Sequence, residues 1–143
     1  MAIKSVKRSF VQRILGKPAT EMPRISDCWS YEAGKITINL TKSPELQVPG
    51  GALRLEGGNL PVRVLVVYGE NQEYRAYLNK CTHIGHRRLD PVPGTNTVQC
   101  CSINKSTFES GGDKISGPAN HSVTTFSVEK DQENLVILIS KNL

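Results

Sequence analysis

Residues 62–68 (VRVLVVY) are the segment that most constrains how this 143-residue chain can fold. The segment is β-branched and apolar almost without interruption, which is typical of a strand buried on both faces. Turn-forming residues 69–72 follow it, and residues 73–78 (EYRAYL) return in an extended pattern. Residues 62–78 are therefore predicted to form a buried β-hairpin.

The other strand signals beyond residue 25 are shorter and lie between glycine and proline turns. Residues 35–40 (KITINL) alternate apolar and polar side chains, as a half-buried strand does. Further strands are predicted at residues 52–56, 122–129 and 135–139, the last two joined in a second hairpin by a turn at 130–134. Short strands at this spacing favour an antiparallel β-sandwich or small barrel, so the predicted fold class is all-β, in one domain.

The positive charge of the chain is confined to its first residues. The net charge is +5, but residues 1–24 hold six basic side chains against Glu21 alone. Residues 25–143 carry 12 basic and 12 acidic side chains, so the body of the chain is neutral. A basic nucleic-acid-binding core is therefore excluded as an interpretation.

The N-terminal segment, residues 1–24, is predicted to contain a short amphipathic helix. Ile3, Val6, Phe10 and Ile14 share one helical face, and basic side chains cover much of the remainder. The longest apolar run there has three residues, so neither a secretory signal nor a membrane span is predicted. Residues 1–17 could contact a membrane surface or a partner, or the helix could pack on the domain or fray.

Residues 79–121, between the two predicted hairpins, show little strand pattern. They contain three of the four cysteines and all three histidines. Metal-binding side chains confined to a loop between strands indicate a site supported by a rigid scaffold. The sequence shows no Ser/His/Asp arrangement, phosphate loop or carboxylate pair, so no catalytic residues are predicted.

Two cysteine-bearing loops within this region carry a specific resemblance. Cys81 and His83 are two residues apart with Gly85 beyond them, and Cys101 follows at a separation of seventeen residues from His83. The pattern resembles the Rieske iron–sulfur domain, whose ligand loops have the form Cys-x-His and Cys-x-x-His. Downstream residues agree with this alignment at Phe108, Glu109, Gly111–Gly112 and Gly117–Ala119. The resemblance covers about residues 28–139.

The resemblance implies a Rieske-like domain over residues 25–143, with a cluster-binding subdomain at about 79–121 inserted into a larger antiparallel β-sandwich. It implies a [2Fe–2S] cluster held by two cysteines on one iron and two histidines on the other. It further implies electron transfer to or from a protein redox partner, an oxygenase or reductase component, as a carrier or subunit rather than a stand-alone enzyme. Four cysteines without an export signal favour the reducing cytoplasm.

The second ligand loop departs from the family pattern. With Cys101 as the second cysteine, Asn104 stands where the second histidine is expected, and an amide oxygen is a weak ligand for iron. His86, His121 and Cys100 are alternative ligands. Three outcomes stay open: a cluster with an atypical ligand set, a cluster-free interaction module or reductase small subunit in which Cys81 could pair with Cys101, or a zinc site.

Other notable side chains are interpreted as ordinary structure. Cys28 beside Trp29 is expected to be a small buried side chain, and Tyr68 is expected to belong to the core. Arg87 and Arg88 are expected on a solvated face, which could also dock an acidic partner.

Overall fold

The structure, a computed structural model, describes residues 20–80, 88–92, 95–100, 107–116 and 123–139. Within these ranges the chain is nearly all β, with three short 3₁₀ turns at Ser26–Cys28, Leu40–Lys42 and Pro44–Leu46. The strands are β1 (Trp29–Glu32), β2 (Lys35–Asn39), β3 (Ala52–Leu55), β4 (Val64–Tyr68), β5 (Tyr74–Leu78), β6 (Leu89–Pro91), β7 (Val98–Cys100), β8 (Thr107–Phe108), β9 (Lys114–Ser116), β10 (Thr125–Asp131) and β11 (Asn134–Leu138). The predicted all-β fold class is confirmed. The N-terminal helix predicted from residues 3–14 lies outside the described residues.

Seven strands form an antiparallel sheet in the order β1-β2-β11-β10-β5-β4-β3. Strand β10 joins the two halves of this sheet: Thr125 and Phe126 pair with β5, whereas residues 127–131 pair with β11. The sheet curls at β10, so that side chains from both halves meet in one core. Its members include Ile36, Ile38, Leu53, Leu55, Val64, Val66, Leu135 and Ile137.

Strand β4 separates this core from a second one. Val64 and Val66 pack in the core of the large sheet, whereas Leu65 and Val67 pack in the other core. All four side chains are buried, which confirms the prediction that this segment is covered on both faces. The uninterrupted apolar run in the sequence is the consequence, because alternate residues of a strand point to opposite faces.

The second core lies beneath a small four-stranded sheet with the order β6-β7-β8-β9. This sheet is inserted in the chain between β5 and β10, which are neighbours in the large sheet. Its buried side chains meet those of β4 and β5; the cluster comprises Leu65, Val67, Tyr77, Leu89, Val98, Cys100, Phe108 and Val123. The insertion therefore rests on the outer face of the large sheet.

The strands of the small sheet and β1 are absent from the sequence-based prediction. Strands β6 to β9 have two or three residues each, too few to show an alternating pattern. Strand β1 pairs with β2 through a two-residue turn at Ala33 and Gly34, both of positive φ. Trp29 and Tyr31 of β1 pack against the first core, as does Tyr68, which was expected there, and Cys28 is buried as predicted.

The turn between β8 and β9 attaches the small sheet to the large one. Gly112 in this turn has a φ of +97°, and its carbonyl accepts a 2.8 Å hydrogen bond from the Val123 amide. The Tyr77 hydroxyl of β5 donates to the Ser110 carbonyl in the same turn, at 2.9 Å. Burial raises the pKa of Tyr77 to about 12, so this hydroxyl stays a donor across the ordinary pH range.

Substitution of Gly112 by alanine is expected to destabilise the protein by about 2–4 kcal/mol. A Cβ at Gly112 would lie 2.3 Å from the Val123 carbonyl oxygen, and the positive φ adds strain. Gly111→Ala is the matched control, because a Cβ at Gly111 meets nothing within 4 Å. Urea unfolding of both variants measures the difference, and equal stability of the two would contradict this role for Gly112.

Candidate functional site

Most of the predicted ligands lie outside the described residues. Cys100 is described, at the end of β7, whereas the other candidates lie in segments 81–87, 101–106 and 117–122. These other candidates are Cys81, His83, His86, Cys101, Asn104 and His121. The structure therefore bears on the site through the described residues that flank these segments.

The strand register of the small sheet brings those flanking residues to one end. Leu89, which closely follows segment 81–87, pairs with Cys100, which directly precedes segment 101–106. Thr107, which directly follows segment 101–106, pairs with Ser116, which precedes segment 117–122. In an antiparallel sheet such pairs lie opposite each other. The backbone that borders all three segments thus meets at a single end of the sheet.

Asn79 fixes the chain where it leaves the large sheet. Its side chain is 0% exposed, and its Oδ1 accepts a 2.7 Å hydrogen bond from the Leu89 amide. The backbone N–H of Asn79 donates to the Arg63 carbonyl at 2.9 Å. The bond to Leu89 holds the residues before and after segment 81–87 next to each other, and the bond to Arg63 fixes Asn79 beside the start of β4.

A half-buried ion-pair network holds the far side of the same segment. Arg88 donates from Nε and Nη2 to the two carboxylate oxygens of Glu56, both at 2.7 Å. Arg54 donates from Nη1 to Glu56 Oε2, also at 2.7 Å. The side chains of Arg88 and Glu56 are 27% and 17% exposed, so this bidentate pair is shielded from solvent.

The Arg88 pairing corrects the prediction of a solvated arginine face. Arg88 is engaged with Glu56 after β3 and is held in place, because a bidentate guanidinium–carboxylate pair fixes both partners. Arg87 lies outside the described residues. The prediction of a solvated side chain is therefore wrong for Arg88.

Thr20, the first described residue, is hydrogen-bonded to residues near this end of the small sheet. The Thr20 amide donates to Asp90 Oδ1 of β6 at 2.8 Å, and both residues are buried. Arg54 Nε donates to the Thr20 carbonyl at 2.9 Å. Thr20, which lies within the N-terminal segment 1–24, is thus bound to both the large and the small sheet.

Cys100 lies inside the second core. Its side chain is 1% exposed and packs in the cluster that contains Leu65, Leu89 and Phe108. Next to it, buried Gln99 donates from Nε2 to the buried Thr107 hydroxyl at 3.1 Å, across the ends of segment 101–106. Cys100 therefore lies among the apolar side chains that support this end of the small sheet.

Sequence reasoning missed Glu56, Asn79 and Asp90. Glu56 is 32 residues from Arg88 along the chain, so no local spacing links them. Asn79 is two residues before Cys81, which is a signal of position but not of burial. Asp90 stands in a three-residue strand whose period cannot be read.

Electrostatics follow from the same network. The Arg88 guanidinium, helped by Arg54, lowers the pKa of Glu56 to about 2. Glu56 is therefore ionised at every pH at which the protein is expected to work, and the pair holds Arg88 throughout.

Comparison with known proteins gives a family and several structural relatives. A family model described as Rieske [2Fe–2S] domain matches residues 38–127, more than half of the chain. A search of curated proteins gives no match.

Three solved structures illustrate the fold. The ferredoxin of carbazole 1,9a-dioxygenase from Nocardioides aromaticivorans IC177 is 17% identical, with a TM-score of 0.54, over 65% of this chain and 88% of that one. A chain of the complex of reduced oxygenase and oxidized ferredoxin in carbazole 1,9a-dioxygenase is 19% identical, with a TM-score of 0.53, over 66% and 86%. The quaternary ammonium Rieske monooxygenase CntA with L-carnitine is 21% identical, with a TM-score of 0.53, over 69% of this chain.

The TM-scores show a shared fold, at identities of 17% to 21%. The chain spans about 30% of the length of the CntA monooxygenase chain, whereas it spans most of the ferredoxin. The likeness is therefore to a domain of the oxygenase and to nearly the whole of the carrier.

The Glu56 network predicts a specific dependence of stability on pH. The pKa of Glu56 is near 4.5 ordinarily and about 2 in the folded protein, so folding favours the ionised carboxylate. Its contribution is complete above pH 4.5 and is lost as the pH falls towards 2. Glu56→Gln is expected to lower the free energy of unfolding by about 2 kcal/mol at pH 7. The difference from the unsubstituted protein is expected to shrink below pH 4.5.

Chemical unfolding of both proteins between pH 7 and pH 3 measures this difference. Glu73→Gln is the matched control, because the Glu73 side chain is 58% exposed in its pair with Arg75. A Glu56→Gln deficit that stays constant down to pH 3 would contradict the account.

Proposed function

Because the chain belongs to the Rieske [2Fe–2S] domain family, we propose that it carries single electrons on a [2Fe–2S] cluster. The family ordinarily holds such a cluster, and a bound cluster supplies reversible one-electron transfer. The carrying observation is the strand register of Leu89, Cys100, Thr107 and Ser116, which gathers the borders of all three candidate ligand segments at one end of the small sheet.

The donor chemistry of those segments fits a Rieske-type cluster in part. Cys81 and Cys101 supply two thiolates, and His83 supplies one imidazole. The Nδ2 of buried Asn79 finds no hydrogen-bond acceptor among the described residues, which is consistent with an acceptor supplied by a bound group. We propose Cys81, His83 and Cys101 as ligands, with the fourth at Asn104 or replaced by His86 or His121.

Cys101 is a better ligand than Cys100 on the grounds of packing. Cys100 is enclosed among apolar side chains of the second core, and withdrawing its side chain to reach a metal would open a cavity there. We therefore propose that Cys100 supports the site only through its packing in the second core, and that Cys101 supplies the thiolate of the second loop.

The chain's own residues would hold the ligand segments rigidly rather than react. Asn79, before segment 81–87, binds Leu89, which follows the segment. Arg88, directly after the segment, is fixed by its pair with Glu56. Gln99 and Thr107 join the two ends of segment 101–106 through a buried hydrogen bond. A rigid shell limits rearrangement when charge changes, which suits a site that exchanges electrons.

The proposed partner is a protein that donates or accepts electrons. One solved structure of similar fold is titled a ferredoxin of a dioxygenase, and another a complex of oxygenase and oxidized ferredoxin. We propose that this chain serves an oxygenase or reductase as a carrier or small subunit and does not itself turn over a substrate. Residues 1–17, with their basic side chains, are a proposed contact with an acidic partner or an anionic membrane surface.

A second candidate function is motivated by Asn104. An amide in place of the second histidine weakens the iron site, so the fold could serve as a cluster-free interaction module, or Cys81, Cys101 and two histidines could hold zinc. Metal content separates these alternatives from the first proposal.

Paired alanine substitutions of the adjacent cysteines test the proposed ligand set. Cys101→Ala is expected to abolish iron and sulfide binding, because it removes a thiolate that no neighbour replaces. Cys100→Ala is expected to keep both and to cost about 1–2 kcal/mol of stability through the cavity in the second core. Iron and acid-labile sulfide assays on anaerobically purified proteins, with urea unfolding, measure both effects.

The reverse pattern, in which Cys100→Ala loses iron and Cys101→Ala retains it, would contradict the assignment. Zinc in place of iron in the unsubstituted protein would favour the zinc alternative.

A further inference from the structure

In the side-chain amide of Asn79, the oxygen is hydrogen-bonded and the nitrogen has no hydrogen-bond partner among the described residues. The residue is 0% exposed, and its Oδ1 accepts a 2.7 Å hydrogen bond from the Leu89 amide. Its Nδ2 is buried and has no hydrogen-bond acceptor in the part of the chain that the structure describes. The structural role described above, in which Asn79 holds Leu89 in place, uses only Oδ1.

The orientation of this amide group is determined by its partner. Leu89 presents an N–H donor, so the atom at 2.7 Å must be an acceptor, which only the oxygen of the amide can be. Exchanging Oδ1 and Nδ2 would put two donors against each other. The backbone is fixed as well, because the Asn79 amide donates to the Arg63 carbonyl at 2.9 Å. The two hydrogens of Nδ2 therefore point away from Leu89.

An unsatisfied donor at such a place is costly. A buried N–H without an acceptor loses its hydrogen bonds to water and gains none in return, and buried polar groups in folded proteins are nearly always paired. An apolar side chain would avoid the cost. An asparagine here indicates that an acceptor becomes available in the functional state of the protein.

The position of Asn79 identifies the kind of acceptor. Asn79 is two residues before Cys81, and its partner Leu89 pairs with Cys100, which directly precedes Cys101. Asn79 thus lies at the root of both segments that carry the proposed cysteine ligands. The Glu56 carboxylate near this end is already occupied by Arg54 and Arg88. Thiolate and sulfide sulfurs of a loaded cluster are the acceptors that the proposed function adds.

We propose that Asn79 Nδ2 donates a hydrogen bond to a sulfur of the bound [2Fe–2S] cluster or of its cysteine ligands, and thereby raises the reduction potential. The inference rests on the proposed function. Reduction makes the cluster more negative, so a hydrogen bond to sulfur stabilises the reduced state more than the oxidised state. Asn79 is accordingly a residue that sets the potential, whereas its Oδ1 has the separate task of closing the loop.

Substitution of Asn79 in the cluster-loaded protein tests the inference. Asn79→Ala removes the Nδ2 donor together with the Oδ1 acceptor of the Leu89 amide, and Asn79→Leu removes both while keeping most of the buried volume. Both variants are expected to shift the ratio of reduced to oxidised protein about tenfold towards the oxidised form at a fixed potential, which corresponds to about 59 mV for one electron. Redox titration followed by visible absorption measures this shift.

Tyr77→Phe is the matched control. It removes the hydrogen bond from the hydroxyl of Tyr77, two residues away on β5, to the Ser110 carbonyl in the turn between β8 and β9, and keeps the aromatic ring in the second core. It is expected to lower the ratio of folded to unfolded protein about fivefold and to leave the potential unchanged. A shift in Tyr77→Phe equal to that in Asn79→Ala would overturn the inference, because loss of stability alone would then explain both.

The outcomes separate this inference from the proposed function. An unchanged potential in iron-loaded Asn79→Ala and Asn79→Leu overturns the role of Nδ2 and leaves the electron carrier intact. Loss of iron from both variants overturns it in favour of a purely structural role. An unsubstituted protein without any cluster overturns the inference and the proposed function together.

Discussion

The burial of strand β4 on both faces is the constraint on which the rest of the structure depends. Val64 and Val66 fill the core of the curled large sheet, and Leu65 and Val67 form the floor beneath the small sheet. Each such side chain contributes about 1.5–3 kcal/mol when fully buried. The small sheet has strands of two or three residues, which do not form a stable sheet in water alone. It persists because β4 and β5 present it with a ready apolar face.

Hydrogen bonds and one ion pair then fix the orientation of the small sheet on that apolar face. Gly112 and Tyr77 attach its far turn to the large sheet, while Asn79 and the Glu56–Arg88 pair hold the end that borders the candidate ligand segments. The apolar contact supplies most of the stability and is not directional. The hydrogen bonds and the bidentate pair supply direction, which the proposed cluster site would require of its scaffold.

Sequence alone predicts the parts of this structure that have a period or a motif. The 62–78 hairpin follows from an uninterrupted apolar run and its turn, and the family follows from Cys81, His83 and Cys101 at their spacing. Strands β6 to β9 are too short for a period, and Glu56 and Arg88 meet only through tertiary structure. The local sequence therefore predicts a solvated Arg88, whereas the folded chain pairs it with Glu56, 32 residues away. The unsatisfied Nδ2 of Asn79 could not be predicted, because burial at 0% is a property of packing and not of the local sequence.

The central claim is that this scaffold carries a redox-active cluster despite Asn104 at the position of the second histidine. Redox titration of the anaerobically purified, unsubstituted protein, monitored by visible absorption and electron paramagnetic resonance, tests it most directly. The account predicts a coloured protein with a reversible one-electron transition from a cluster of two irons and two sulfides per chain. A colourless, iron-free protein with no reversible transition would contradict it.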